Sequence, residues 1–290
     1  MTRKMLSLQG VGTPHPNGHF YSPVCDPVDL EARRAEIWPE QPRACLGIDF
    51  DDESHLKVLQ EWFPRFIADY DYPEHGPEDS ELEFYYTQNS QFSWLDSRVL
   101  FVIMRALEPR RVIEVGSGYS SLLMADINRR FLEGAAEIRC VEPYPRAFLK
   151  RGVPGLSDVI VERVQAVPLA VFEALGENDI LFIDSSHVGK TGSDVNYLFF
   201  EVLPRLQPGV MVHVHDIFLP ADYLQEWAID ENRSWNEQYL LRALLMLSSA
   251  FKPVFGSYYA WLVHQSAVIS ALSLEGGAGF GGGSFWFRRC

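Results

Sequence analysis

The sequence has little that would staple, anchor or charge-steer the chain. Its four cysteines, Cys25, Cys45, Cys140 and Cys290, are scattered and form no CxxC pair. Neither a zinc site nor a disulfide framework follows from that spacing, and reduced thiols in a cytoplasmic protein are the expected state. No window approaches the apolar length of a membrane span. Met1 to Phe20 carries Arg3 and Lys4 without the apolar run of a signal peptide, so no membrane partner is expected. Positive charge is also short: 25 Lys and Arg stand against 39 Asp and Glu, a net charge of −14. Surface binding of nucleic acid needs clustered Lys and Arg, which removes nucleic acid as an expected partner. There is no internal repeat, and the glycine run at 276–283 is too short for a low-complexity domain. What remains is 290 residues that are 47% hydrophobic, enough for a full core without staples.

Residues 1 to about 45 are rich in Pro, Gly and charge and read as an irregular arm. Over residues 54–70 the apolar side chains Leu56, Leu59, Trp62, Phe63, Phe66 and Ile67 fall at helical spacing, with Pro64 expected to kink or split the helix. These segments make an N-terminal arm and helical extension over 1–85, ahead of a main domain over 86–290. From Arg111 the pattern changes to strand–helix alternation. RVIEV (111–115), EIRCVE (137–142), DVIVERV (158–164), DILFID (179–184) and GVMVHVHD (209–216) are apolar strands, with helices over 120–131, about 146–150, 167–175, 196–206 and 237–250. KPVFGSYY (252–259) and GSFWFRR (283–289) read as the last two strands, separated by a helix and a glycine-rich loop. Successive βα units imply right-handed crossovers and a parallel sheet with helices on both faces. Ligands of such sheets bind at the carboxyl ends of the strands, so functional residues are expected just after them.

The first strand runs into Glu114-Val115-Gly116-Ser117-Gly118, then Tyr119-Ser120-Ser121 and a helix. Two glycines let the backbone turn tightly and approach a ligand. The dinucleotide fingerprint GxGxxG is absent, because Ser121 holds its third position, and a lone GxG is equally a plain strand–helix turn. Glu142 closes the second strand, where an acid can accept hydrogen bonds from both hydroxyls of a ribose. Asp184 ends the fourth strand with His187 three residues on. Asp216 ends the fifth, preceded by His213 and His215. Neighbouring parallel strands should bring Asp184 and Asp216 together as a site for a hard cation such as Mg²⁺ or another divalent metal. Read structurally, both are turn formers or helix caps, His213 is a core histidine, and Lys190 with Asp194 is a surface pair.

The Glu114–Gly118 loop resembles motif I of class I S-adenosylmethionine-dependent methyltransferases. The resemblance covers about residues 86–290, and FIDSSHVGK with VHVHDIF is similar to bacterial macrocin-type and catechol-type O-methyltransferases. It implies a Rossmann-like, seven-stranded, mostly parallel sheet with an antiparallel C-terminal strand. It implies S-adenosylmethionine as cofactor, held by Glu114, Gly116, Ser117, Gly118, Ser120, Glu142, Asp184 and Gln165. Tyr86 and Asn89, with Phe92, form an expected lid over it, the alternative being an aromatic helix entry packed on the sheet. Asp184, Asp216 and His215 are the implied metal ligands, although Ile217 stands where the catechol-type enzymes place a third, Asn or Asp. His187 occupies the position of their proton acceptor and suits it, since imidazole titrates near operating pH. Trp227, Trp235 and Tyr239, with Gln238 nearby, are candidates for the acceptor pocket. The expected reaction is O-methylation of a small molecule, with self-association left open. Transfer to nitrogen or carbon, an iron-dependent oxidoreductase built on the Asp/His cluster, and a non-catalytic cofactor-binding module are the alternatives.

Overall fold

The computed structural model describes residues 15–78, 81–273 and 282–290. By contacts the chain divides into a smaller unit, Met1–Arg43 with Ala221–Trp235, and a larger one, Ala44–Pro220 with Asn236–Cys290. The division falls at Arg43/Ala44, ahead of the expected 85/86 boundary. Val58, Leu59 and Phe63 of the N-terminal helical stretch share one buried cluster with the helix Trp94–Leu107, which places that stretch with the sheet. In the smaller unit, Asp26 caps the helix Pro27–Ala32, and the Trp38 indole N–H donates to the Tyr223 carbonyl at 2.6 Å.

The larger unit is built on seven strands: β1 (Arg111–Val115), β2 (Glu137–Val141), β3 (Asp158–Ile160), β4 (Ile180–Ile183), β5 (Met211–Val214), β6 (Phe251–Gly256) and β7 (Phe285–Arg289). Their order is β3-β2-β1-β4-β5-β7-β6, with β7 alone antiparallel to its neighbours. Side chains alternate across the sheet. Ile180 and Phe182 of β4 enter the core beneath Trp94–Leu107 and Tyr119–Phe131, whereas Leu181 and Ile183 enter the core on the other face. A strand buried on both faces must be apolar throughout, which is why ILFI carries no polar side chain.

Register fixes where the strand ends lie. Val115 pairs with Val141 and with Ile183, and Ile183 pairs with Val214. The next rungs are Gly116 N–H to Val141 O (3.0 Å), Asp184 N–H to Val115 O (2.8 Å) and His215 N–H to Ile183 O (2.9 Å). Gly116, Glu142, Asp184 and His215 are therefore the first residues past four adjacent strands, all at one edge, astride the β1/β4 order reversal.

One helix divides as its proline leads one to expect, and two other elements depart from expectation for local reasons. The 54–70 helix is divided into Asp52–Lys57, a π turn Val58–Trp62, Phe63–Phe66 and a 3₁₀ turn Ile67–Asp69. The 196–206 helix likewise runs Asp194–Tyr197, π turn Leu198–Val202, 3₁₀ turn Leu203–Arg205. Each π turn stops two residues before a proline, Pro64 or Pro204. A proline has no N–H for the carbonyl four residues back, and its ring pushes that carbonyl away, so the preceding turn widens. The expected strand 252–259 ends at Gly256, because Ser257 N–H meets Ser284 O at 2.8 Å and β7 supplies no further rung; Ser257–Val263 turns helical. Most of the glycine-rich loop (274–281) lies outside the described residues.

His55 is wholly buried where the Asp52–Lys57 helix meets β6. Its Nδ1 faces Asp51 O at 3.0 Å, and Nε2 accepts from Gly256 N–H at 2.8 Å, which requires a neutral ring. Burial lowers its pKa to about 4 from 6.5. The unfolded chain then binds more protons than the folded one between those values, so stability is full above about pH 6.5 and falls as pH drops toward 4. The loss approaches about 3 kcal/mol. In urea unfolding, His55→Gln should be less stable at pH 7 and lose less than wild type between pH 6.5 and 4.5. Equal losses in the two proteins would count against the assignment.

Candidate active site

The turn after β1 is forced by a close approach. Gly116 has φ +81°, and a Cβ there would lie 1.8 Å from the carbonyl oxygen of Asp184. Gly118 differs: an added Cβ would meet only Gln91 Oε1, at 4.0 Å, so the space over the turn is open. Glu142 accepts from the N–H groups of Ser117 (3.2 Å) and Tyr144 (2.8 Å), which ties the second strand end to the turn.

Glu114 does not line the opening. It is fully buried and accepts from Ser120 Oγ (2.6 Å), Ser121 Oγ and Cys140 Sγ (3.1 Å), and burial pushes its carboxyl up to about 7. Both Glu114 and Ser120 shape the turn from beneath. Asn89, 5% exposed, spends its amide on the backbone of Tyr86, Gln91 and Phe92. Tyr86 OH meets Tyr119 OH at 3.0 Å at the first residue of the helix that follows the turn. Gln165 donates to Gly192 O. Sequence reasoning passed over Gln91 and Arg146, whose side chains hydrogen-bond each other beside Gly118, with the Arg146 guanidinium 5.3 Å from the Tyr119 ring.

At the ends of β4 and β5 the expected proximity is found. His187 Nε2 lies 3.4 Å from Asp184 Oδ1 and 3.5 Å from Asp216 Oδ2. One ligand atom each from Asp184, His187 and Asp216 lies within 4.8 Å of the others. His215 presents Nδ1 to the same acids, 3.6 Å from Asp184 and 3.5 Å from Asp216. His213 instead is buried, with Nε2 at 2.9 Å from Ser284 Oγ, and burial drives its pKa well below the usual value. His187 and Asp216 both have left-handed backbones, φ +59° and +58°. Such conformations are uncommon outside glycine and persist where the surroundings enforce them.

Two further acids stand behind the imidazoles. Glu237, 0% exposed at the start of the helix Glu237–Leu245, holds His187 Nδ1 at 2.9 Å through Oε2 and accepts from Ser185 Oγ at 3.0 Å through Oε1. Asp96 lies 3.4 Å from His215 Nε2 and accepts from Gly283 N–H (2.8 Å) and Ser284 N–H (2.9 Å). Neither was expected. The available signal for Glu237 was helical spacing: it shares the buried stripe of Leu241 and Leu245.

Burial disfavours charge on His187, yet hydrogen bonds that it donates to Asp184 and Glu237 push its pKa up to about 10. Burial opposes charge on His215 too, but Asp216 and Asp184 hold it well above the usual imidazole value. Burial raises Asp216 and Glu237, whereas Asp184, despite burial, is held well below the usual carboxylate range by His215 and His187.

Among the candidate acceptor residues, Trp227 and Trp235 belong to the smaller unit. There the Arg233 guanidinium lies 4.3 and 4.8 Å from their rings, which are 5.3 Å apart. Tyr239 belongs to the larger unit and is exposed. No described helix is long and apolar enough to cross a membrane.

The strand order with one reversed strand, and a glycine turn opening at the order reversal, define a Rossmann-like sheet of the methyltransferase kind. Residues 113–217 match a family model described as a methyltransferase domain. An uncharacterized protein of Archaeoglobus fulgidus is 38% identical over 173 residues, which span 59% of this chain and 77% of that protein. The chain belongs to the class I S-adenosylmethionine-dependent methyltransferase family. This assignment displaces the iron-oxidoreductase alternative. Among solved structures, the S-adenosylhomocysteine-bound methyltransferase PaMTH1 of Podospora anserina is 17% identical at a TM-score of 0.41, covering 97% of this chain and 100% of its own. The O-methyltransferase TomG of Streptomyces achromogenes is 15% identical at 0.39, covering 90% and 96%. Both likenesses are too loose to bear on function.

Proposed function

We propose that the protein transfers the methyl group of S-adenosylmethionine to a hydroxyl oxygen of a small molecule, assisted by a divalent cation at Asp184 and Asp216. The observation that carries this reading is the acid–imidazole cluster at the ends of β4 and β5, next to the Gly116 turn. Asp96, Asp184, Asp216 and Glu237 supply four carboxylates, and among the described residues their charged side-chain partners are His187 and His215. With all four carboxylates ionised and both imidazoles charged the cluster keeps two net negative charges (−4 + 2), which a dication would offset. The open space above Gly118 fits a ligand laid across the turn.

When bound, S-adenosylmethionine supplies a methyl group already activated by its sulfonium, and a dication supplies positive charge that favours the deprotonated hydroxyl. The protein's share is positioning. Glu142 is placed for a ribose, while the Gly116–Gly118 backbone sets the depth of the donor. Asp184 and Asp216 orient the acceptor in line with it. His187 turns Nε2 toward both acids, which places it as a third ligand of the dication rather than as proton acceptor, and the hydroxyl proton, made acidic by the dication, leaves to solvent.

Glu142→Ala should weaken S-adenosylhomocysteine binding by about 1.5–3 kcal/mol, roughly tenfold or more, in calorimetry. An unchanged affinity would show that the ribose does not reach Glu142. The function itself is tested by incubating the protein and labelled S-adenosylmethionine with paired hydroxyl and amine acceptors, and locating the methyl group by mass spectrometry. Methylated oxygen supports the reading. Methylation confined to nitrogen or carbon overturns it.

A further inference from the structure

We propose that the Asp184–His187–Asp216 cluster takes a transition-metal dication, of the kind manganese, iron(II), cobalt or zinc, in preference to magnesium, and that Glu237 is the positioning residue that makes His187 its ligand. The proposal deepens the divalent-cation part of the function above and rests on it.

The donor set comes first. Asp184 and Asp216 contribute oxygens, and His187 turns Nε2 toward both, at 3.4 and 3.5 Å. Ligands about 2.1 Å from a common ion are at most about 4.2 Å apart, and the three atoms already lie within 4.8 Å of one another, so small side-chain movements close the set. Magnesium favours an all-oxygen shell and keeps its waters, whereas imidazole suits the borderline transition metals. A histidine as one of three protein ligands therefore tilts the site away from magnesium.

The second observation is on the far side of the ring. Nδ1 lies 2.9 Å from Glu237 Oε2, and that carboxylate is wholly buried with its other oxygen held by Ser185 Oγ. An acid at this distance takes the Nδ1 proton as a hydrogen bond, which fixes the ring so that Nε2, on the side of Asp184 and Asp216, would be the nitrogen that binds a metal. A metal-bound histidine with its other nitrogen on a carboxylate is the usual arrangement, and it raises the basicity of the ligand. The main chain is held by the same helix start: the His187 carbonyl accepts from Asn236 N–H (3.0 Å) and Glu237 N–H (3.2 Å). One helix turn thus fixes both the strained backbone of His187 and the orientation of its ring. His215, with Asp96 behind its Nε2, flanks the acids in the same style.

The test uses the full chain stripped of metal by a chelator and dialysed, then titrated with Mn²⁺ and with Mg²⁺ in separate calorimetric runs. Mn²⁺ is expected to bind at least about tenfold more tightly than Mg²⁺, and Glu237→Gln to weaken Mn²⁺ roughly 10–100-fold. That variant should retain the thermal midpoint and S-adenosylhomocysteine affinity, which separates a lost orienting charge from a damaged fold. Pulsed electron paramagnetic resonance of the Mn²⁺-loaded wild type should show coupling to an imidazole nitrogen, a readout that needs no variant. Equal affinity for the two ions, no nitrogen coupling, or unchanged Mn²⁺ affinity in Glu237→Gln each overturns the proposal while leaving a divalent site standing. If neither ion binds, the divalent-cation reading falls along with it, and oxygen methylation by the chelated protein is judged separately from the product.

Discussion

Gly116→Ala is expected to abolish detectable S-adenosylhomocysteine binding and to lower the thermal midpoint by roughly 6–12 °C. The added Cβ would sit 1.8 Å from the Asp184 carbonyl oxygen and 2.8 Å from its carbon, both of them backbone atoms of the neighbouring strand end. Neither can swing aside as a side-chain tip would. The residue would also have to hold φ near +81° without the freedom of glycine. Together the clash and the strain cost about 3 kcal/mol, and a domain of this size loses about 2–4 °C per kcal/mol. Gly118 is the internal control. Its Cβ direction is empty, so Gly118→Ala meets no backbone clash and should lose less of its thermal midpoint than Gly116→Ala while crowding the ligand. Wild-type affinity in Gly116→Ala, measured by calorimetry, would show that the Asp184 strand end yields, and the close-approach argument would be lost.

The second large effect is that of removing the divalent cation. Chelated protein is expected to lose about 10²–10³-fold in kcat on its hydroxyl acceptor and to regain it on adding the metal back. Positive charge beside a developing alkoxide contributes several kcal/mol to a transition state, and each 1.36 kcal/mol is about tenfold in rate. Asp216→Ala should reproduce the loss without rescue, because it removes one of the acids that hold the cation. S-adenosylhomocysteine affinity should stay within about twofold in both cases, since Glu142 and the Gly116 turn are untouched. Full turnover in the chelated protein would eliminate the metal from the mechanism.

The parts of this fold that could be read from the sequence are those where local pattern and tertiary demand coincide. RVIEV is a strand by its apolar run and is a strand in the sheet, with the same ends. Residues that follow strands are placed by topology alone, so Glu142, Asp184 and Asp216 could be assigned to one edge of the sheet, and Asp184 and Asp216 to one neighbourhood, without coordinates. What could not be read depends on partners distant in sequence. Glu237 serves His187 from the helix after β5, and Asp96 serves His215 from a helix ahead of the first strand; nothing in the spacing of either announces its partner. Glu114 illustrates a different failure. Its motif position was legible, but its burial beneath two serines and a cysteine was not, and that burial turns an expected cofactor contact into a support for the turn. The broken helices were half legible: the prolines are visible, while the widened turns ahead of them follow from packing that keeps the chain helical on both sides.

β7 lies between β5 and β6 although it follows both in the chain. Until Phe285–Arg289 has left the ribosome, a nascent chain therefore presents β5 with one hydrogen-bonding edge bare, and β6 has no place in the sheet. Bare edges invite pairing with other chains, and closing the sheet demands contacts between residues far apart in sequence, which form slowly. The same insertion delivers Gly283 and Ser284 to Asp96, so the acid behind His215 gains its backbone partners only when this late strand docks. The support behind His215 is thus complete only once β7 has docked, and a chain cut short of residue 285 should keep an open sheet edge and lack that support.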